Sequence, residues 1–446
     1  MNQEPTKLFN RNYALLFQGQ LVSRLGTQIY AIAMILWIKD ATDSATLVGL
    51  LLMVSAIPGV FLSPIGGAVA DRFSRRKILV FSDLIRGLAM LVVAGVIYTM
   101  ADSVDLLLAL LFLVAILSGT VTAFFRPAIA AAIPDLVPKD RVVTANSLGQ
   151  LSLQLSVFFG QGLGGTLFRL LGAPFLFLFN GVSFLYAALS ESFIKMPEVA
   201  PREKMSVGES WRRFMADLKE GFRYTWNRSG LRELVFISAI FNFFTMPAVV
   251  LLPFFVEDTL HASKDWYGVI LVAFGIGAFL GYVVAGIFRL PGRTRMMVLL
   301  AFMVGQSAMY GVIGFAPTPF SVLPMALAGG FMGGYIAVNI TTVLQLSTPS
   351  EVRGRVFGLL GMVAGSLTPI AMGLSGVIAD AVDQNIPLIY AVSGGIMVIL
   401  SVSVALLPQT RALLAYEYKP KDRQGPPPDA GPTADRPPVS PTTLPF

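Results

Sequence analysis

Cysteine is absent and histidine occurs once, at position 261, in a chain of 446 residues. No disulfide, thiolate nucleophile or Cys-based metal site can be built from such a sequence, and an HExxH zinc pair lacks its second imidazole. No Gly-Lys dipeptide occurs, which removes the Walker A loop and with it ATP-driven transport by this chain. A GxGxxG match at Gly160, Gly162 and Gly165 lies inside an apolar run with no strand before it. It signals close helix packing, not a dinucleotide. An enzyme, a metal centre and a cofactor are therefore not expected. Charge is scarce too: Asp, Glu, Lys and Arg make up 13% of the residues against 55% hydrophobic, where a soluble domain carries about a quarter. Such a chain requires a bilayer.

In place of charge stand apolar runs of the roughly 20 residues that cross about 30 Å of hydrocarbon as a helix. We place them at 12–38, 46–70, 78–100, 104–126, 143–169, 173–193, 231–256, 266–289, 296–315, 321–346, 355–379 and 387–407. The short alternating segments of a membrane barrel are missing. With the N-terminus cytoplasmic, only Lys39, Arg169 and Lys264 of the 33 bases fall in loops of the opposite face, and Arg24 and Arg86 lie inside spans. This skew obeys the positive-inside rule, so the net charge of +7 reflects topology and implies no nucleic-acid partner. The expectation is an all-α membrane protein of twelve transmembrane helices in two six-helix bundles, residues 1–195 and 230–410, with both termini cytoplasmic. The first span is too long for a signal peptide and is read as retained. Residues 196–229 form a cytoplasmic linker in which Ser206 to Trp226 can make an amphipathic helix with Trp211, Phe214, Leu218 and Phe222 on one face. Residues 411–446, rich in proline, are expected to be disordered.

Between the second and third runs comes Gly67-Ala68-Val69-Ala70-Asp71-Arg72-Phe73-Ser74-Arg75-Arg76-Lys77, small residues, then an acid, then bases. A topology anchor needs the bases but not the acid. The two halves also look like weak copies, as in carriers built from repeats. Pro138-Lys139-Asp140-Arg141 precedes the fifth span and Pro349-Ser350-Glu351-Val352-Arg353 the eleventh; Gly286 to Arg295 stands where the hinge recurs, with Arg289, Arg293 and Arg295 but no acid.

These residues resemble the major facilitator superfamily, and within it the drug and siderophore exporter branch that includes macrolide efflux pumps and enterobactin exporters. The superfamily pattern GxLADRxGRR is matched by Gly67, Ala70, Asp71, Arg72, Arg75 and Arg76, with Val69 for Leu and Ser74 for the second Gly. Phe125-Arg126-Pro127, Pro134, Pro138 and Ala145-Asn146 look like the exporter branch. Where the superfamily's antiporters show GxxxGPxxGG, the fifth span has Ser156, Gly160, Gln161, Gly164 and Gly165, a glutamine in place of proline. The resemblance implies a major facilitator fold and a secondary transporter that exports hydrophobic or amphiphilic small molecules by alternating access, with protons as the coupling ion, working as a monomer in a bacterial-type inner membrane. A lipid or lysophospholipid flippase of the same fold, or a uniporter, is the alternative.

Physically, Gly67 permits close helix approach, and Asp71 can pair with a base or cap a helix N-terminus, with the start of the eleventh span near Arg353 as its candidate. Arg75 and Arg76 can return to carboxylates such as Glu191. Together these make a gating set of Gly67, Asp71, Arg72, Arg75, Arg76, Glu191 and Arg353. Polar residues recur at helical spacing: Gln20, Arg24 and Gln28; Ser118, Thr122 and Arg126; Asn146, Gln150, Gln154 and Gln161; Ser238, Asn242 and Thr245; Asn339, Thr342 and Gln345. Polar groups do not face lipid, so these stripes are expected to line one cavity, with Phe243 and Met246 as an adaptable apolar wall. Arg24 sits near mid-membrane, where an ionised side chain is a functional hypothesis by default. No acid lies at mid-membrane; Asp83, three residues before Arg86, is the deepest. Proton coupling would fall to Asp71, Asp83 or Glu191. His261 lies in an outer loop and is read as solvated.

Overall fold

The computed structural model describes residues 7–70, 72–100, 102–196, 207–288 and 290–416. Among them the chain is helical: α1 (Arg11–Thr42), α2 (Ala45–Ala70), α3 (Arg75–Thr99), α4 (Val104–Leu136), α5 (Val142–Ser192), α6 (Val207–Trp226), α7 (Leu231–Val250), α8 (Leu252–Phe254), α9 (Asp265–Ile287), α10 (Gly292–Ile313), α11 (Pro319–Ser347), α12 (Ser350–Ala381), α13 (Ile386–Leu406) and α14 (Pro408–Leu414). Eleven of these helices are long and apolar enough to cross a membrane.

The fifth is 51 residues long, about 77 Å at 1.5 Å per residue, more than twice the hydrocarbon thickness. It breaks at Gly172, whose φ of 74° and ψ of 165° only glycine adopts without strain. Its two arms take opposite directions along α1. In the first arm Tyr13 pairs with the Ala145 carbonyl and Gly160 and Gly164 pack on Gln28 and Ile32, so residue numbers rise together. In the second, Ala187 meets Gly19 and Asn180 and Ser183 meet Gly26, so they run oppositely. The chain doubles back at Gly172, so both arms of α5 pack on α1.

α1 therefore sets two faces of the bundle: a proximal face, where it begins, and a distal face, where it ends. Large apolar side chains such as Leu113, Phe279, Ile399 and Leu406 are exposed around the bundle, as lipid contact requires. The buried cores divide unequally between the two faces. One distal cluster joins Ile32, Leu36 and Phe177 of the first half to Phe254, Val322 and Tyr390 of the second. Proximally there are separate clusters, one around Tyr13, Leu79 and Ala132, and two in the second half around Leu299 and Val404 and around Leu234 and Val356.

α6 forms in the linker as a helix and lies against α12, with Arg355 donating to Glu220 at 2.5 Å and Gly221 packed on the Arg355 carbonyl. Phe222 stacks on Trp226, ring centroids 5.3 Å apart. The side chains of Trp211 and Phe214 lie outside the described set. The ordered chain extends past the boundary set at 411: α14 buries Thr410 and Leu414, and Arg295 of α10 donates to the carbonyls of Leu414 at 3.2 Å and Tyr416 at 2.5 Å. Apolar packing and a cation on helix-terminal carbonyls hold these residues. The Pro-rich stretch from 417 lies outside the described residues.

Candidate functional site: a cavity closed at one face

Between the halves is a cavity of about 800 Å³ lined by α2, α4 and α12. Its polar lining is Ser55, Ser63, Ser118, Thr122, Arg126 and Thr368, with small residues such as Gly59, Gly119, Gly361 and Gly365 between them. Among the described residues Arg126 is the one ionisable side chain of the lining, and Arg24 lies within electrostatic range of it. Asn242 of α7 accepts from Thr368 at 3.2 Å and so stands behind the cavity wall. Phe243 and Met246 are half-buried nearby in sequence, Phe243 packed edge-on against Phe244.

The distal end is shut by contacts between the halves. Lys39 of α1, buried, donates to Asp258 at 3.0 Å and lies 3.7 Å from Glu257. Lys264 pairs with Asp40, and Arg169 with Asp265 at 3.0 Å. Burial raises the pKa of Glu257 above its ordinary value, with the Lys39 and Lys264 ammonium groups pulling it down and Asp40 and Asp258 pushing it up. Backbones come into direct contact as well: a Cβ on Gly268 would overlap the Gly162 carbonyl oxygen, and one on Gly165 the Lys264 carbonyl oxygen. α2 and α12 run antiparallel there, Gly376 against Ala45 and Gly49 against Met372. Asp380 seals that pair, accepting the Ala45 N–H at 3.1 Å, the Thr46 N–H at 2.9 Å and the Ser44 hydroxyl at 2.9 Å.

Among the described residues, the glycines at the proximal ends of α2 and α12 make no such contact. A Cβ added at Gly67, Gly354, Gly358, Gly361 or Gly365 would meet nothing within 4 Å. On α5, the face that reaches α9 at Gly162 and Gly165 continues proximally through Gln154, Gln150 and Asn146, all exposed. They stand along the open stretch between the halves.

Several expected pairings come out differently. Asp71 lies outside the described residues. Arg75 ties the start of α3 to the end of α4 through Asp135 and the Ala131 carbonyl, and Arg76 donates to the Ser192 carbonyl. Neither reaches Glu191, which is fully buried and accepts from Gln20 at 2.8 Å. Arg353 turns back on the Thr348 carbonyl at 3.1 Å. The α1 stripe ties α1 to α5: besides Gln20, Arg24 donates to the Gly149 carbonyl at 2.7 Å and Gln28 accepts from Gln161 at 3.1 Å. Polar groups at a helix contact in lipid satisfy one another, which fixes the packing instead of leaving them for a solute. Asn339 likewise closes on its own helix, donating to Tyr335 O at 2.9 Å. Asp83 pairs with Arg86 at 2.5 Å inside the first half. The small-residue lining from α2 and α12 and the Asp380 cap escaped the sequence reading. An acid near the end of α12, and Ser44 just before α2, were the available signals.

An all-helical membrane protein whose halves enclose a cavity sealed at one face has the architecture of a major facilitator transporter. The chain belongs to the transmembrane secretion effector family (MFS_3), whose model matches residues 6–439. It is 24% identical over 400 residues to macrolide efflux protein A of Streptococcus pyogenes, covering 89% of this chain and 96% of that protein. It is 27% identical over 406 residues to the multidrug efflux pump Tap of Mycolicibacterium fortuitum, covering 90% and 96%. Among solved structures, a bacterial homologue of the iron transporter ferroportin in an inward-facing state superposes with a TM-score of 0.68 at 16% identity, covering 88% of this chain and 98% of that one. The protein is thus a multi-pass transporter of the bacterial inner membrane.

Proposed function

We propose that this protein is a proton-linked exporter of hydrophobic or amphiphilic small molecules, working by alternating access through twelve passages with both termini cytoplasmic. The proximal face is then the cytoplasmic one. The observation that carries the reading is the asymmetric closure: inter-half ion pairs, backbone contacts and the Asp380 cap seal the distal end of an 800 Å³ cavity, while its proximal end lies open. That is one half of an alternating-access cycle, poised to load from the cytoplasm. The efflux names of its relatives support the direction of transport.

In the opposite state the hinge Gly67 to Lys77 closes the proximal end. The antiparallel register of α2 on α12, set by Gly376 on Ala45 and by Met372 on Gly49, supports this reading, because equal counting along both helices pairs position 71 with position 350, the first residue of α12. Asp71 then caps α12 as Asp380 caps α2.

The test is transport into inverted vesicles under imposed pH or sodium gradients, against ethidium, a macrolide and lysophosphatidylcholine. Accumulation of ethidium or the macrolide driven by an acid interior supports the reading. Movement of lysolipid alone replaces it with a flippase, and indifference to both gradients with a uniporter.

A further inference from the structure

Behind the cavity, in the proximal part of the first half, three ionisable side chains are packed together out of reach of water. Asp83 and Glu191 are both 0% exposed and Arg86 8%. Arg86 donates to Asp83 Oδ1 at 2.5 Å, while its guanidinium lies over the Phe125 ring at 4.3 Å and the Phe184 ring at 4.7 Å. Glu191 Oε1 accepts from Gln20 at 2.8 Å. Asp83 Oδ2 and Glu191 Oε2 are buried with no hydrogen-bond partner among the described residues.

The charges in this pocket do not balance. Two carboxylates face one guanidinium, and the other neighbours are neutral: α1 presents Gln20, α4 the Phe125 ring and α5 the Phe184 ring. Among the described residues, the charged groups interacting with Asp83 and Glu191 are each other and Arg86. Burying an unpaired ionised carboxylate costs several kcal/mol, and two acids sharing such a site ionise in two separated steps. One added proton brings the cluster from a net charge of −1 to zero and supplies an O–H donor for an orphaned oxygen.

We propose that Asp83, Arg86 and Glu191 form the proton-binding site that drives the conformational cycle, the two carboxylates holding one proton between them while the helices around them are tightly packed. The proposal rests on the proton-linked reading given above. The surroundings connect the site to both gates. Arg76 of the hinge is anchored on the carbonyl of Ser192, the residue after Glu191. Gln20 lies on α1, and 19 residues further along that helix Lys39 stands in the distal seal, about 28 Å away along a continuous helical rod. Loss of the proton leaves a bare charge that needs water, so it favours loosening of the α1, α3 and α5 contact. Regaining the proton favours the dry, closed packing.

The test needs no substrate. The full chain, reconstituted in lipid, is titrated by infrared spectroscopy while spin labels at Asp102→Cys and Pro317→Cys report the distance between the halves across the distal face; the native chain has no cysteine to interfere. A Glu257→Gln background removes the titrating carboxylate at the distal seal. We expect a protonated-carboxyl band at neutral pH that fades as pH rises, with the distance distribution changing in step. Glu191→Gln and Asp83→Asn each leave one acid matched to Arg86, so each should lose the band and the pH-dependent change in distance. No band in the parent protein, a band that survives in both variants, or a distance that ignores its titration would each overturn the proposal. The gradient-driven vesicle assay reads proton-linked export separately, so a site intact by infrared in a protein indifferent to pH gradients would sink the coupling reading and leave the bound proton structural.

Discussion

The carboxylate of Asp380, next to the last residue of α12, caps the first turn of α2 by accepting the backbone N–H groups of Ala45 and Thr46. A helix start has N–H groups with no intrahelical partner and the positive end of a dipole, and here the partner comes from the other half of the protein. Asp380→Ala removes both the cap and the cross-half tie. A lost cap costs about 0.5–2 kcal/mol, so the distal-closed population should fall by a few-fold to about thirtyfold relative to distal-open. Distances between labels at Asp102→Cys and Pro317→Cys measure that ratio, and an unchanged distribution would contradict the role.

The Lys39 cluster predicts a pH effect on the same gate. Glu257 has its pKa raised by burial, so the closed gate takes up its proton more readily than an open, hydrated one. A raised carboxylate pKa means that its stabilising contribution is complete in acid and is lost as pH rises through the shifted value. Distal closure should therefore tighten as pH falls through the raised value toward the ordinary carboxylate range, and Glu257→Gln should flatten that part of the profile. Lys39→Met should act at every pH, costing about 1–3 kcal/mol of closure, less than the 3–5 of a fully buried pair because Asp258 remains partly exposed.

Backbone contact between α5 and α9 leaves no room for a side chain at Gly268. Gly268→Leu should prevent full distal closure and abolish gradient-driven accumulation, while the protein still inserts and purifies normally. Normal transport by this variant, measured in vesicles, would mean that the close approach is dispensable.

Arg126 gives the cavity lining its formal charge, and among the described residues no acid lines it. Arg126→Gln should raise the half-saturating concentration of an anionic amphiphile roughly tenfold or more, the worth of a charged hydrogen bond of about 1.5–3 kcal/mol, and leave a neutral amphiphile nearly unaffected. Vesicle transport of a matched acid and ester pair checks it.

Hydropathy and the placement of bases made the helices legible, because lipid imposes both on any spanning chain. The break at Gly172 was visible as a gap between two apolar runs, though not that the arms flank α1 in opposite directions. Pairing was harder to read. Gln20, Arg24 and Gln28 look alike whether they line water or lock two helices together, since helical spacing fixes a face and not what that face meets. Asp83 stood out as the deepest acid and Glu191 as a carboxylate within reach of the hinge, but 108 positions of sequence separate them, and nothing in the spacing announces that Arg86 serves both.

The division of the buried core, single at the distal face and split at the proximal face, bears on how the cycle spends its time. Opening the distal end would require peeling apart one continuous apolar body that includes Phe177, Phe254 and Tyr390, whereas among the described residues the proximal side has separate buried clusters. Idle protein should accordingly wait with its proximal end open. The slow step would be the outward turn, so a solute that binds late in the wait would meet a receptive carrier and not a closed one.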